Sequence, residues 1–213
     1  LTTGSDNVAI GLQALGSEVG HGRNVAIGRS ALEAQNAGAD AYNVAVGYNA
    51  GLAISTGLNN TIIGGLAGDA LTTGNHNIAI GRDALGAEDT RGYNVAIGSY
   101  ALQDLNAAAD AYNIAIGYSA GKEITTGTYN TVLGAQAMSV GITTGDYNVA
   151  IGNVAGNNIT SGERNVLVGT AAGDALTEGD YNVAVGHGAL SAEDEHGYNT
   201  AIGYKALNAQ NAG

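Results

Sequence analysis

Asn7-Val8-Ala9-Ile10-Gly11-Leu12-Gln13-Ala14 is the stretch on which the fold turns, because the chain repeats it from end to end. Asn recurs at 7, 24, 43, 60, 77, 94, 113, 130, 148, 165, 182 and 199, at spacings of 17, 19, 17, 17, 17, 19, 17, 18, 17, 17 and 17. Each copy keeps a Gly four residues after the Asn and an Ala seven after it, from Gly11 and Ala14 to Gly203 and Ala206. The first residue after the Asn is always Val, Ile or Thr, and the third is always Ile, Val or Leu. A three-residue apolar segment rich in β-branched residues, bounded by Asn and Gly, reads as a short strand. A repeat of this length is too short for a helix pair or a propeller blade. It fits one coil of a solenoid in which each strand pairs with its counterpart one repeat later. The expected fold is therefore an all-β parallel β-solenoid of twelve coils of 17–19 residues, with residues 1–213 forming one repetitive segment.

The rest of each unit is read in the same frame. Gly closes the strand where the chain turns and a positive φ is cheap. The Ala that follows is small enough for the inside of a narrow tube. Ile54, Leu71, Ile124, Ile142, Ile159 and Leu176 supply a further apolar position eleven or twelve residues after the Asn. Thr/Ser/Glu-Gly turns follow them. The twelve Asn (Asn7, Asn24, Asn43, Asn60, Asn77, Asn94, Asn113, Asn130, Asn148, Asn165, Asn182 and Asn199) are expected to form a buried ladder, amide to amide. Coils stacked about 4.8 Å apart bring identical amides within hydrogen-bonding reach. A slower period overlies the first: Ala39-Asp40-Ala41-Tyr42-Asn43 returns as Ala109-Asp110-Ala111-Tyr112-Asn113. Both close a long unit, so Glu33–Asp40 and Gln103–Asp110 are expected to protrude as loops. The terminal Ala209-Gln210-Asn211-Ala212-Gly213 echoes Ala34-Gln35-Asn36-Ala37-Gly38, which makes a fragment of a longer fibre the expectation.

The middle residue of each strand is expected to point outward, opposite the two β-branched neighbours. These residues are Ala9, Ala26, Ala45, Ile62, Ala79, Ala96, Ala115, Val132, Ala150, Leu167, Ala184 and Ala201. An outward column without polar residues predicts a subunit interface in a homo-oligomer.

Composition narrows the function. Seven Lys and Arg against nineteen Asp and Glu give a net charge of −12, which argues against nucleic acid as a partner. With no Cys, a disulfide scaffold, a Cys metal site and a cysteine nucleophile are all excluded. No apolar run reaches the roughly 18 residues of a membrane-spanning helix, so no membrane insertion is expected. His21, His76, His187 and His196 fall at variable positions, with no spacing that groups them with a nucleophile and a carboxylate. Neither catalysis nor a cofactor is expected. The acidic clusters Glu88-Asp89 and Glu193-Asp194-Glu195 read as solvated loop charges rather than a cation site. Seven tyrosines directly precede the Asn: Tyr42, Tyr93, Tyr112, Tyr129, Tyr147, Tyr181 and Tyr198. They are expected near the surface, where aromatic faces either stack on one another or receive sugars. The Thr-Gly turns do not form the flat Thr array of an ice binder. One Ile-Gly-x-x-Ala per coil is too few for a hexapeptide-repeat acyltransferase.

The repeated Asn-Val-Ala-Ile-Gly-x-x-Ala resembles the head repeat of trimeric autotransporter adhesins. With turns such as Thr125-Thr126-Gly127-Thr128-Tyr129-Asn130 it also resembles repeats of phage tail fibres. The resemblance spans all twelve units. It implies a left-handed parallel β-roll, a homotrimer, an extracellular location on a virion fibre or cell-surface appendage, and a role in host attachment. Longer coils and Asn in place of Ser separate this chain from the adhesin heads. The expected function is a structural segment of an extracellular trimeric fibre. The alternative is an adhesive module that itself recognises a glycan or matrix protein.

Overall fold

The structure, a computed structural model, describes residues 4–88, 90–192 and 195–209. Among them are twelve strands of three residues: β1 (Val8–Ile10), β2 (Val25–Ile27), β3 (Val44–Val46), β4 (Thr61–Ile63), β5 (Ile78–Ile80), β6 (Val95–Ile97), β7 (Ile114–Ile116), β8 (Thr131–Leu133), β9 (Val149–Ile151), β10 (Val166–Val168), β11 (Val183–Val185) and β12 (Thr200–Ile202). They form one parallel sheet in sequence order, and every residue pairs with its equivalent in the next unit. The chain is a β-solenoid, as the repeat predicts.

The return path of each coil is a run of tight turns. After the strand the backbone amide of Ala14 bonds the Gly11 carbonyl, that of Gly16 bonds Gln13, and that of Glu18 bonds Leu15. The first two of these turns hold a residue of positive φ at their third position, Gln13 at 62° and Leu15 at 49°. A left-handed non-glycine residue costs about 1 kcal/mol or more. Here the cost is offset coil by coil, because the same amides bond across coils: Ser30 donates to the Leu12 carbonyl and Leu15 to the Ala31 carbonyl. The Gly that ends each strand is different in kind. At Gly47 φ is 145°, and a Cβ would sit 2.4 Å from the Gly64 carbonyl oxygen. No other residue fits that stack.

The strand faces are the reverse of the expectation. Ala26, Ala45, Ile62, Ala79, Ala96, Ala115, Val132, Ala150, Leu167, Ala184 and Ala201 are all buried inside their own chain, at 0–1% exposure; only Ala9, in the first strand, is exposed. The chain therefore buries this column by itself and leaves no subunit contact for it. The β-branched pair on either side points outward instead. The physical reason is width. Across the coil the strand faces the turn segment, and the gap also holds the invariant Ala (Ala31 and Ala50, for example, at 0%). Two alanines fill it, and a Val or Ile at every level would not fit.

In most coils the remaining core volume is supplied by a large side chain from one of two positions, and in one coil by both, Leu102 and Leu105. In five coils a Gly lies eight residues after the Asn, and the side chain three residues further on fills the space: Gly51 with Ile54, Gly68 with Leu71, Gly121 with Ile124, Gly156 with Ile159 and Gly173 with Leu176. In Leu15, Leu32, Leu85 and Leu190 coils the leucine takes the role, and the later position is polar. Ile62 and Leu167 replace the strand Ala where two Gly-type coils are stacked. Their methyls lie within 3.1 Å of where Cβ atoms of Gly68, Gly156 and Gly173 would be. Ile142 departs from the expected column: it is 65% exposed and Thr143 is buried in its place. Its coil holds one more residue, and Met138 already supplies the apolar bulk. The long coils expose a narrower stretch than expected. Gln35, Leu105 and Ala107 remain buried, while Asn36, Gly38 and Ala39, and Asn106 and Ala108–Asp110, face solvent.

Candidate functional site

The Asn column locks the coils together. Each Asn Oδ1 accepts the backbone N–H of the Asn one coil later, from Asn7 to Asn24 (3.0 Å) through Asn182 to Asn199 (2.9 Å). The Nδ2 closes its own coil. Asn43 donates to Gly57, Asn60 to Gly74, Asn113 to Gly127 and Asn148 to Gly162, at 2.7–2.8 Å. Direct amide-to-amide bonds occur only between some neighbours, such as Asn165 to Asn148 at 3.1 Å. The expected burial holds at Asn24 through Asn182, whereas the hydrogen bonding runs mainly through backbone. In the two long coils the extra residues shift the closing carbonyl. Asn24 Nδ2 is left without a partner and Asn94 Nδ2 turns to Gly92 at 3.2 Å.

Those long coils follow a second coil type. Glu18 and Glu88 occupy the buried position that holds Ile or Leu in the Gly-type coils. Each carboxylate accepts loop amides: Glu18 from Gly20 and His21 (3.3 and 3.0 Å), Glu88 from Arg91 (3.1 Å). The next coil adds an Asp that accepts Gly22 or Gly92 N–H, at 3.2 Å from Asp40 and 3.1 Å from Asp110. The slow period is thus a pair of coils clamped by two carboxylates. Asp89, Glu193 and Asp194 lie outside the described residues. Among the described residues no group of three or more His, Asp or Glu is placed to hold a metal ion, and no concave pocket is present.

The outer sheet face runs unbroken across all twelve strands. Its two columns run Val8, Val25, Val44, Thr61, Ile78, Val95, Ile114, Thr131, Val149, Val166, Val183, Thr200 and Ile10, Ile27, Val46, Ile63, Ile80, Ile97, Ile116, Leu133, Ile151, Val168, Val185, Ile202. Three Thr are the only polar residues and no charged residue enters either column. The side chains are half-buried or exposed, as at Ile114 (41%) and Leu133 (44%).

Beside this face stands the column of residues that precede the Asn. All twelve have φ between 51° and 64°, whatever their side chain. Their amides bond the preceding coil, as Tyr93 does to Asn75 (3.0 Å), Tyr129 to Ala111 (2.7 Å) and Tyr181 to Glu163 (3.0 Å). Side chains held on one backbone geometry at one rise stack face to face. His76, Tyr93, Tyr112, Tyr129 and Tyr147 form five successive planes, with centroids 4.9–5.2 Å apart; the tyrosine rings lie within 14° of parallel and His76 is tilted 19° from Tyr93. Arg164 continues the stack between Tyr147 and Tyr181, its guanidinium carbon 5.2 and 5.5 Å from their centroids. Tyr198 follows at 5.1 Å. Tyr42 is covered by Arg23, whose guanidinium also bonds its hydroxyl and pairs with Asp40 at 3.0 Å. Desolvation, then Asp110 and the flanking Tyr93 and Tyr129, push the Tyr112 phenol up. The tyrosines are exposed as expected, but interior faces of the stack are taken by their neighbours. From Tyr93 to Tyr129 both faces of each ring are covered, so edges and hydroxyls are what solvent meets there.

The histidines are dispersed. His76 is in the stack, His187 lies against Tyr204 (5.4 Å) and His21 is 4.0 Å from Glu18. His196 lends its carbonyl to Asn182. No protein-family model, no curated protein and no solved structure matches this chain.

Proposed function

We propose that this chain is a structural segment of an extracellular homotrimeric fibre, a left-handed β-roll that supports attachment in a phage tail fibre or a bacterial surface appendage. The observation that carries the reading is the outer sheet face. Twelve strands present two columns of Val, Ile and Leu with three Thr and no charge, on a chain of net charge −12. A solvated strand face is ordinarily polar, and a continuous apolar patch of this extent marks an interface. The occupant is further copies of the same chain. Only a partner with the same coil rise keeps its side chains level with these over twelve successive strands. The number three and the extracellular setting come from the resemblance to adhesin heads and phage fibres. An apolar sheet that is buried among parallel copies gives a stiff rod, which is what a fibre shaft requires. The closed aromatic column gives no support to a sugar-binding role for the segment itself.

Light scattering coupled to size exclusion tests the proposal. The segment is expected to elute at three times the chain mass of 21.1 kDa. A stable monomer at micromolar concentration refutes it.

A further inference from the structure

We propose that the tyrosine stack is a site of oxidative cross-linking, at which neighbouring coils of one chain become joined through dityrosine bonds by a haem peroxidase and hydrogen peroxide. Tyr93, Tyr112, Tyr129 and Tyr147 lie ring on ring at 4.9–5.2 Å, tilted by 2–14°. They are 43–47% exposed, so an oxidant reaches their edges and hydroxyls. A phenol gives up one electron and its proton to the oxidised haem and becomes a phenoxyl radical with spin on its ortho carbons. Two such radicals on adjacent rings couple ortho carbon to ortho carbon. Each ring then loses its ortho hydrogen as a proton when its hydroxyl is regained and aromaticity returns. The sum is two tyrosines and one hydrogen peroxide giving one dityrosine and two waters. Two electrons pass from the ring pair to the peroxide.

Geometry makes the neighbour the preferred partner. Radical coupling is fast but requires two radicals to meet, and each ring of the stack already faces another along the coil axis. Tyr181 and Tyr198 face each other in the same way at 5.1 Å, whereas Tyr100 and Tyr118 are edge-on at 5.9 Å with planes at 90° and lack facing rings. Arg164 interrupts the stack between Tyr147 and Tyr181. A guanidinium carries no phenol, so no bond forms across it. The chain has no cysteine with which to staple its coils in an oxidising medium. A carbon–carbon bond between neighbouring rings, which tilt edge to edge as it forms, staples one coil to the next. The proposal stands whether the chain is single or trimeric.

Trypsin provides the readout, because Lys122 separates Tyr112 from Tyr129 and Arg164 separates Tyr147 from Tyr181. The folded segment, prepared from mixed isotope-labelled and unlabelled chains refolded together, is treated with horseradish peroxidase and hydrogen peroxide and digested. Dityrosine fluorescence is expected, together with a cross-linked pair of peptides 92–122 and 123–164 in which Tyr112 is joined to Tyr129 and both halves carry the same label. A pair joining 123–164 to 165–205 is expected to be missing. Tyr112→Phe keeps a ring in the stack but no phenol, and removes the Tyr112–Tyr129 product. Lack of dityrosine overturns the proposal. So does a product dominated by mixed-label pairs, or one that joins peptides across Arg164 as readily as across Lys122.

Discussion

At the scale of the residue, the Asn of an ordinary coil, such as Asn113, does two jobs at once. Its oxygen takes the N–H of the next coil and its amide nitrogen closes its own coil. Asn113→Asp keeps an acceptor but loses the donor to Gly127 and leaves a buried carboxylate facing a carbonyl. The expected loss is about 3 kcal/mol at neutral pH. It is read from denaturant titration, and it shrinks as acid protonates the side chain and restores a donor. An unchanged midpoint would remove the Asn from its coil-closing role. Three aspartates behave in the opposite sense to a stabilising carboxylate. Burial raises the Asp174 carboxyl above its ordinary value, and burial aided by Asp83 and by Glu123 does the same for Asp69 and Asp104. A folded-state value above the unfolded one means that the native chain holds more protons in between. Stability from these groups therefore rises as pH falls through the folded value, and the penalty is complete at neutral pH. Asp174→Asn is expected to raise the melting temperature at neutral pH. The gain disappears at a pH where both states are protonated, and a gain that persists there would refute electrostatics as its cause.

At the scale of the element, the coil is a small packing problem with two solutions. In most coils either a Gly is followed by a large apolar residue or a leucine is followed by a polar one; Leu102 with Leu105 and the Met138 coil depart from both. Gly121→Leu alone forces a side chain onto Ile124, whose Cδ1 lies 2.9 Å from the added Cβ, and overpacking of this kind costs about 1–3 kcal/mol. The backbone itself accepts leucine there: Gly121 has φ 58° and the equivalent Leu102 has 48°. Ile124→Gln alone empties the core and costs about 2–4 kcal/mol. Together they rebuild the arrangement of Leu32 and Gln35. The double variant is expected to be more stable than either single one by chemical denaturation, with a favourable coupling of about 1 kcal/mol or more. Additive losses would show that the two positions do not share one space. Much of this was legible beforehand. The strand, the closing Gly and the inward Ala follow from the unit itself, and so does the apolar position at Ile54 or Leu71. The Leu-type coil was not, because Leu15 and Leu32 carry no local mark that separates a core leucine from a turn residue.

At the scale of the whole molecule, twelve coils at about 4.8 Å each make a rod roughly 55–60 Å long. Small-angle scattering is expected to give the profile of a rod, and a globular profile would contradict the stacking. Ile116→Glu tests the outer face without touching the core, since Ile116 points away from the chain's interior while Ala115 beside it is fully buried. In the proposed trimer it brings three carboxylates into one apolar contact, where desolvation and repulsion both oppose assembly. The expected product is a monomer with the β-sheet circular dichroism spectrum of the parent. A variant that remains trimeric would place the interface elsewhere.

The sequence by itself determined the coil, its register and its turns. Those depend on what each residue type permits when copies are stacked: Gly where a side chain would strike the carbonyl above, Asn where a buried donor and acceptor are both needed. It did not determine which side of a three-residue strand is inside. Alternation offers two faces, and Ala between two β-branched residues suits either a small outer contact or a narrow interior. Only the width between the strand and the turns across from it decided the matter, and that width exists in the folded coil alone. The tyrosine stack was decided the same way. Seven tyrosines before seven Asn announce a column, but the left-handed backbone shared by Asp6, Arg23, His76 and Tyr93 is what turns the column into facing rings.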